Sequence, residues 1–583
     1  MIQTQTTRAV RNSFSSPQFR TFTKPTTPYV QLFCRALTSQ KSEDLINYTS
    51  GRYLFNEDLR LKERHVEFDI DALKEAATRH IGLQHGKVER ISKLAEGGFN
   101  RVFLLTAENG FQAATLEFLR LKGVPAPKLY GYSVSHENPV GVEYILMEKG
   151  NGVGVETKWN TMTKRQRHAL ASSYVNIEKR LFAIHFRSSG SIYFKKDIPA
   201  ELQASLYADG HGKDEASARF CIGPIADYMF WYGKRAELDQ YRGPWRNPND
   251  YLQAIAGKEI EWTRRYGKMM DLDFPHNGLV KGKQDPQKYI SLLQRYQTLA
   301  SSLLPKDKSS PLNQPTLRHP DLNPNNILVS PDTCAVSCII DWQHTVIEPR
   351  LLAAGYPPAF ENPETDEPRG VEEPQLPSDY VTLSSEEKAE ADELYRRQLL
   401  SHYYHIFNGA FNKSHLHALQ DPLINPRKHL VDRAGRQWTG NLMTLSGAIA
   451  RMLEYWPLLP DTKDIVCPVK LEPSELKELE ANETMWFGLN TLMNHWREKI
   501  GGISEDGWVA SNRYDEAVKK TKELKDSLVA AAEGDEEDLD CCIKAGLFEI
   551  TRRKTEAPRL DCMCSEQILR STNKTRGAAN FLR

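Results

Sequence analysis

The segment that most constrains this chain runs from Leu317 to Trp342. It opens with Leu317-Arg318-His319-Pro320-Asp321-Leu322-Asn323-Pro324-Asn325-Asn326-Ile327-Leu328-Val329, an H-x-D-x-x-x-x-N run. Fifteen residues after Asn326 comes Asp341, in Cys338-Ile339-Ile340-Asp341-Trp342. Residues 326–329 and 336–340 are apolar and β-like, and the turn-prone Ser330-Pro331-Asp332 lies between them. A hairpin is therefore predicted that carries Asn326 and Asp341 to one end of a strand pair. Phosphoryl transfer asks mostly for positioning and charge neutralisation. Asp321 is placed to orient and deprotonate an acceptor hydroxyl. The Asn326 amide and the Asp341 carboxylate supply hard oxygen ligands for Mg²⁺. A lone H-x-D would read as an ordinary turn, but four such residues in register around a hairpin do not. His319 reads as a loop-orienting residue rather than a general base.

The chain's 583 residues exceed what one compact core accommodates, so two or more lobes are expected. Lys plus Arg and Asp plus Glu number 76 each, a balance that gives no reason to expect a nucleic-acid partner. The most apolar stretch, 442–456, is broken by Arg451 and Glu454, and no membrane span is predicted. The cysteines are spread too thinly for a disulfide framework or a paired zinc site. Residues 1–42 contain no Asp or Glu but several Arg and Lys among many Ser and Thr. That segment resembles a mitochondrial transit peptide, which would make the import machinery a partner.

From 43 to 85 helical spacing dominates, strongest over 70–81. The period then shortens: 88–94 and 101–106 alternate as strands and bracket Glu96-Gly97-Gly98-Phe99-Asn100. Asn109-Gly110 is a hairpin signal, 115–121 a short helix, and 128–133 and 143–147 are further strands. Beyond Lys149 the chain is mostly helical. Thr163 caps one long helix, and Ser384-x-x-Glu387 is a capping box opening another towards Phe407. A helix over 442–456 is stopped by Pro457, and 513–532 is helical as well. Residues 361–380 read as a loop or insertion, and 551–583 as a basic, aperiodic, disordered tail. His402, His405, His415 and His417 read as packing residues rather than as a metal site.

His319, Asp321, Asn326 and Asp341 resemble the catalytic loop and metal-binding aspartate of the aminoglycoside phosphotransferase and choline kinase group, in which Trp likewise follows that aspartate. Arg318-His319-Pro320-Asp321-Leu322 and Ile340-Asp341-Trp342-Gln343-His344 further resemble a fungal branch that includes altered inheritance of mitochondria proteins. Tyr48-Thr49-Ser50-Gly51-Arg52, Gly97-Gly98-Phe99-Asn100-Arg101-Val102-Phe103, Phe220-Cys221-Ile222-Gly223-Pro224 and Met229-Phe230-Trp231-Tyr232-Gly233 match as well. The resemblance implies an α+β, two-lobed protein-kinase-like fold. A helical extension at 43–85 would precede a small β-rich N-lobe at 86–149. A large helical C-lobe at 150–550 would hold the catalytic hairpin at 317–342. It also implies a mitochondrial location, ATP and Mg²⁺ as cofactors, and an unidentified small-molecule acceptor. Gly97, Gly98, Phe99 and Asn100 would cover the phosphates, and Met147 and Glu148 would form the hinge whose backbone binds adenine.

The pattern breaks after Asn109-Gly110-Phe111-Gln112-Ala113, where the chain passes directly to Ala114-Thr115-Leu116-Glu117-Phe118-Leu119-Arg120. The family's third strand, with its phosphate-gripping basic residue, and the first turns of the next helix, with the Glu that pairs with it, are missing. Arg120 and Lys122 lie beyond the place where the basic residue belongs. Either a stretch has dropped out of the chain as given, or the protein is a non-catalytic pseudokinase acting as a binding or scaffold protein. A protein kinase fits less well, because Trp342-Gln343 replaces the usual Phe-Gly.

Overall fold

The computed structural model describes residues 45–81, 88, 90–96, 101–106, 114–133, 135–272, 276–280, 282–362, 372–459, 461–504 and 507–531. The segments read from sequence as transit peptide (1–42) and basic tail (551–583) lie outside the described residues. So do Asn109-Gly110 and residues 363–371 of the 361–380 loop.

The first described elements are β1 (Gly51–Tyr53), α1 (Glu57–Glu63) and α2 (Ile70–Ile81). The Asp69 carboxylate accepts hydrogen bonds from the Asp71 and Ala72 N–H groups, satisfying free donors at the start of α2. Leu73, Ala76 and Ala77 make the apolar stripe of α2, and they bury against Val88, Val140 and Leu146 to form a small core. Strand β2 (Arg90–Glu96) pairs antiparallel with β3 (Arg101–Thr106) through a bulge between Lys93 and Ala95. The sequence places the first of these strands at 88–94. It starts later because the Val88 N–H donates to Thr78 Oγ1 and so belongs to the helix-packing layer.

Helix α3 (Ala114–Leu121) follows, closed by Gly123 at φ 72. Phe118 and Leu119 are fully buried, and the Phe118 ring lies 5.9 Å from Phe186 and 5.8 Å from Phe220. Helix α3 thus packs into the larger core. Strands β4 (Leu129–Ser133) and β5 (Tyr144–Met147) form a second ribbon. The Asn138 side chain closes its loop, accepting from Val140 N and donating to Val142 O. Among the described residues the two ribbons remain separate two-stranded sheets.

The large lobe opens with β6 (Val153–Gly154), α4 (Val155–Lys158) and α5 (Lys164–Phe182). Thr163 and Gln166 form a reciprocal capping box at the start of α5, as Thr163 predicts. A ribbon of β7 (Ser191–Phe194) and β8 (Phe220–Gly223) flanks α6 (Glu215–Arg219). Helices α7 (Pro248–Tyr266) and α9 (Pro286–Leu303) pack together, with the short α8 (His276–Leu279) between them in sequence. Strand β9 (Pro315–Leu317) leads into the catalytic segment. Then come β10 (Ile327–Val329), β11 (Val336–Ile339), β12 (Ile347–Pro349) and α10 (Arg350–Ala353).

Helices α11 (Ser385–Phe411), α12 (Lys413–Leu419), α13 (Ile424–Ala434) and α14 (Met443–Tyr455) complete the lobe. The Ser384–Glu387 capping box is formed as the sequence predicts. Leu317, Leu322, Ile327, Val329, Ile339, Trp342 and Ile347 all sit in one core with α3, α5 and α11, so the catalytic segment rests on a packed platform.

Helix α15 (Pro473–Ile500), about 42 Å long at 1.5 Å per residue, is tied to the large lobe by Arg295–Glu475 and Arg451–Glu483 ion pairs. At its far end Ile500 joins a small core with Val509 of β13 (Trp508–Ala510) and Ala517 of α16 (Tyr514–Ala531). Strand β13 pairs with β1, and Trp508 Nε1 donates to the Tyr48 hydroxyl at 2.8 Å. Lys93 on β2 reaches back to the Asn47 carbonyl at 2.6 Å. The two ends of the described chain thus clasp each other beside the small ribbon.

Candidate active site

Three elements position the catalytic segment. Strand β10 pairs with β11 on one side and β6 on the other, with Ile327 facing Ile339 and Leu328 facing Gly154. The Ile340 N–H donates to the Asn326 carbonyl at 3.0 Å, so Asn326 and Asp341 flank the mouth of the hairpin, as their spacing predicts. Strand β9 pairs with β12, which follows Asp341, and delivers His319 to the same place.

His319 joins the two halves. Its Nδ1 accepts from the Asp321 N–H at 3.2 Å, so its Nε2 carries the proton and donates to the Ile340 carbonyl at 2.9 Å. The ring is 5% exposed and stands edge-on to Trp342 at 4.7 Å. Burial pushes its pKa down to about 4, which keeps it neutral and fixes this tautomer. His319 is a clamp between the loop of Asp321 and the strand of Asp341.

Asp321 is exposed, and Asn323 Nδ2 donates to its Oδ2 at 2.9 Å. Asn326 is buried, and its Nδ2 donates to the Asp321 carbonyl at 2.7 Å. Asn326 Oδ1 accepts no hydrogen bond among the described residues. Asp341 has φ 62, a left-handed conformation that costs a non-glycine residue about 1–2 kcal/mol. Its carboxyl is shifted above the ordinary range, first by burial and then by the negative charge of Asp321, with His344 opposing. Two mutually repelling carboxylates beside an unpaired amide oxygen suit a hard divalent cation.

Gly97, Gly98, Phe99 and Asn100 lie outside the described residues; the strands on either side end on the facing pair Glu96 and Arg101. Met147 is exposed at the end of β5. The Glu148 N–H donates to the Lys128 carbonyl, while its carboxylate accepts from the Lys128 N–H and stands 3.6 Å from Arg120. This strand exit reaches the hairpin through Gly150, where an added Cβ would lie 2.5 Å from Leu328 Cδ1. Next to it the Ser337 hydroxyl donates to the Asn151 carbonyl.

The sequence reading missed the network behind the loop. Arg318 donates to Glu178 Oε1 at 2.9 Å and to the carbonyls of Ala353 and Gly355 at 2.7 Å. The Tyr404 hydroxyl donates to Glu178 Oε2 at 2.6 Å, and His415 Nδ1 lies 3.2 Å from that oxygen. Burial alone would raise the Glu178 carboxyl, but Arg318 first and His415 second hold it down at about 2. His405 bonds Tyr356 and the His402 ring lies against Tyr403; neither belongs to a metal cluster among the described residues.

Residues 99–352, which contain this hairpin, match the phosphotransferase enzyme family. The chain carries a phosphotransferase-family domain. Its architecture is the two-lobed, kinase-like α+β fold of that family, with a small strand-rich region and a large helical lobe. A subtelomeric hrmA-associated cluster protein of Aspergillus fumigatus is 28% identical over 504 residues, 77% of this chain and 95% of that protein. Altered inheritance of mitochondria protein 9, mitochondrial, of Zygosaccharomyces rouxii is 24% identical over 77% of this chain and 76% of its own length. Its Candida albicans counterpart is 23% identical over 79% and 84%. A solved aminoglycoside-3'-phosphotransferase of type VIII aligns at 14% identity and TM-score 0.24, over 57% of this chain and 98% of that one. The relatives named as mitochondrial support a mitochondrial location.

Proposed function

We propose that this phosphotransferase-family chain is a mitochondrial kinase that transfers the γ-phosphoryl group of ATP to a hydroxyl of a small molecule. Asp321, held by the Asn323 amide, orients the acceptor hydroxyl and takes its proton. Asn326 Oδ1 and the Asp341 carboxylate would hold Mg²⁺, which when bound neutralises the phosphate charge. Gly97, Gly98, Phe99 and Asn100 would cover the phosphates, and the backbone at Met147–Glu148 would receive adenine. The observation that carries this reading is the His319 clamp, which fixes the two carboxylate-bearing segments to each other through one neutral ring. Its test is incubation of the purified chain with Mg²⁺ and γ-labelled ATP over a panel of hydroxyl compounds. Transfer that is lost in Asp321→Asn supports it; the same transfer in that variant refutes it.

A second reading, a non-catalytic mitochondrial pseudokinase that binds or scaffolds, is favoured by a specific observation. Among the described residues the β2–β3 and β4–β5 ribbons are separate sheets, and helix α3, between them in sequence, packs into the large core. The sequence passes from Ala113 to Ala114 without the basic residue that would grip phosphate. Sequencing the transcript across 113–114 shows whether the family's third strand is restored. If the junction stands, a melting temperature unmoved by millimolar Mg·ATP establishes the second reading over the first.

A further inference from the structure

Arg167, on the buried face of α5, takes no part in the chemistry above. Only 8% of it is exposed, and its Nε is shielded and without a hydrogen-bond partner. Its guanidinium makes no hydrogen bond and has no carboxylate at ion-pair distance among the described residues. Buried charges are ordinarily paired, because an unpaired one loses its hydration with nothing in exchange. The other arginines buried to this degree follow that rule. Arg235 donates to Glu259 and Arg427 to Asp421, while Arg242 and Arg350 donate to backbone carbonyls.

Direct contacts on both sides fix what Arg167 faces. Before it, Trp159 Nε1 donates to both Glu393 oxygens at 3.3 Å. After it, the His168 ring lies 5.4 Å from Tyr403 and 4.8 Å from Phe407. Leu170, Ala171 and Tyr174, one and two turns further along the same face of α5, share a core with Leu399, Leu400 and Tyr403 of α11. Arg167 therefore faces the turn of α11 before Leu399, where Arg396 and Arg397 stand. Both of these bond Glu393, through Arg396 Nε at 3.0 Å and Arg397 Nε at 2.8 Å, so that carboxylate already receives three side chains. The neighbouring acids are engaged too. Asp392 accepts from the Tyr380 hydroxyl, Glu373 pairs with Lys164, and Glu361, raised by burial, feels Arg397. Burial first and the like charge of Arg396 second push the Arg167 pKa below its ordinary value, against the pull of Glu393.

We infer that Arg167, with Arg396 beside it, binds a small oxyanion, a phosphate or carboxylate group, at a site separate from that of phosphoryl transfer. Gln166, the preceding residue, donates to the Asp332 carbonyl at 3.0 Å, in the closed turn of the β10–β11 hairpin. Asn326 and Asp341 stand at the open mouth, and strands of three and four residues keep the two ends about 10 Å apart. Charge decides the ligand class. A cation would bring like charge to two guanidiniums, and a neutral molecule would leave Arg167 uncompensated. An oxyanion offers paired acceptors to the planar fork. The inference holds whether or not the chain transfers phosphoryl groups.

Isothermal titration calorimetry of the full chain in chloride buffer, without nucleotide or Mg²⁺, tests this with inorganic phosphate and acetate as probes. At least one is expected to bind saturably, and which one does so tells a phosphate group from a carboxylate. Affinity should fall about tenfold in Arg167→Lys, which keeps the charge but not the fork, and binding should vanish in Arg167→Met. Parental binding in Arg167→Met overturns the inference, because it puts the anion elsewhere. So does silence from both probes. Melting in anion-free buffer gives an independent reading. Arg167→Met removes an uncompensated buried charge and should melt no lower than the parent. A clearly lower melting temperature would mean that the guanidinium is already compensated, and would likewise overturn it.

Discussion

His319 illustrates how one ring's protonation state can shape a site. Its folded pKa of about 4 lies below the usual value near 6.5, so between those values the unfolded chain binds more protons than the folded one. Stability therefore falls as pH drops through 6.5 and the contribution stops changing below about 4, a loss of at most about 3 kcal/mol from this residue. His429, likewise pushed down to about 4 by burial, acts in the same direction. In His319→Gln the stability difference between pH 7 and pH 4.5, read by chemical denaturation, should shrink by about 2 kcal/mol. An unchanged difference would mean that the ring is not held neutral. At Asp341 the expectation concerns charge. Asp341→Asn removes the repulsion with Asp321, so the metal-free protein should melt no lower than the parent, while any rise in melting temperature on adding Mg²⁺ disappears. A Mg²⁺ response of parental size in that variant would remove Asp341 from the ligand set.

Among the elements, those with local causes were legible in the sequence. The capping boxes at Thr163 and Ser384 depend on residues three apart, and the β10–β11 hairpin closes over a short turn; each forms as its spacing predicts. The pairing of Arg318 with Glu178 was not legible, because they are 140 residues apart and nothing in either neighbourhood marks the partner. The signal that could have found it is an Arg inside an otherwise apolar strand exit, which must be neutralised wherever it is buried. The placement of α3 was also hidden. Its Phe118 and Leu119 fit either core by composition, and tertiary packing chose the larger. Breaking the buried pair is expected to be severe: Arg318→Ala removes the guanidinium from the buried Glu178 carboxylate, at a cost of about 3–5 kcal/mol, measurable as a fall in denaturation midpoint. A Thr163→Ala change, which removes one exposed cap, should cost about 1 kcal/mol. Equal losses for the two would contradict this ranking.

Across the whole molecule, long-range ties decide how the ribbons stand against the helical lobe. Gly51 on β1 leaves room for Trp508; an added Cβ would fall 2.1 Å from its indole nitrogen. Gly51→Val should therefore open the clasp between the chain's described ends. Hydrogen exchange should then rise at β1, β13 and β2 while the catalytic hairpin stays protected. The same long-range character explains why the sequence revealed the catalytic hairpin but not the buried network behind it. Asp321, Asn326 and Asp341 are close in sequence, whereas Glu178, Arg318, Tyr404 and His415 come from separate segments. The sequence junction at Ala113–Ala114 is the point at which fold and activity can part. Thermal-shift titration with Mg·ATP, run in parallel on the parent chain and on Asp341→Asn, bears most directly on the central claim. A saturable rise in the parent that vanishes in the variant is the predicted result; no rise at millimolar nucleotide, or an equal rise in both, would contradict it.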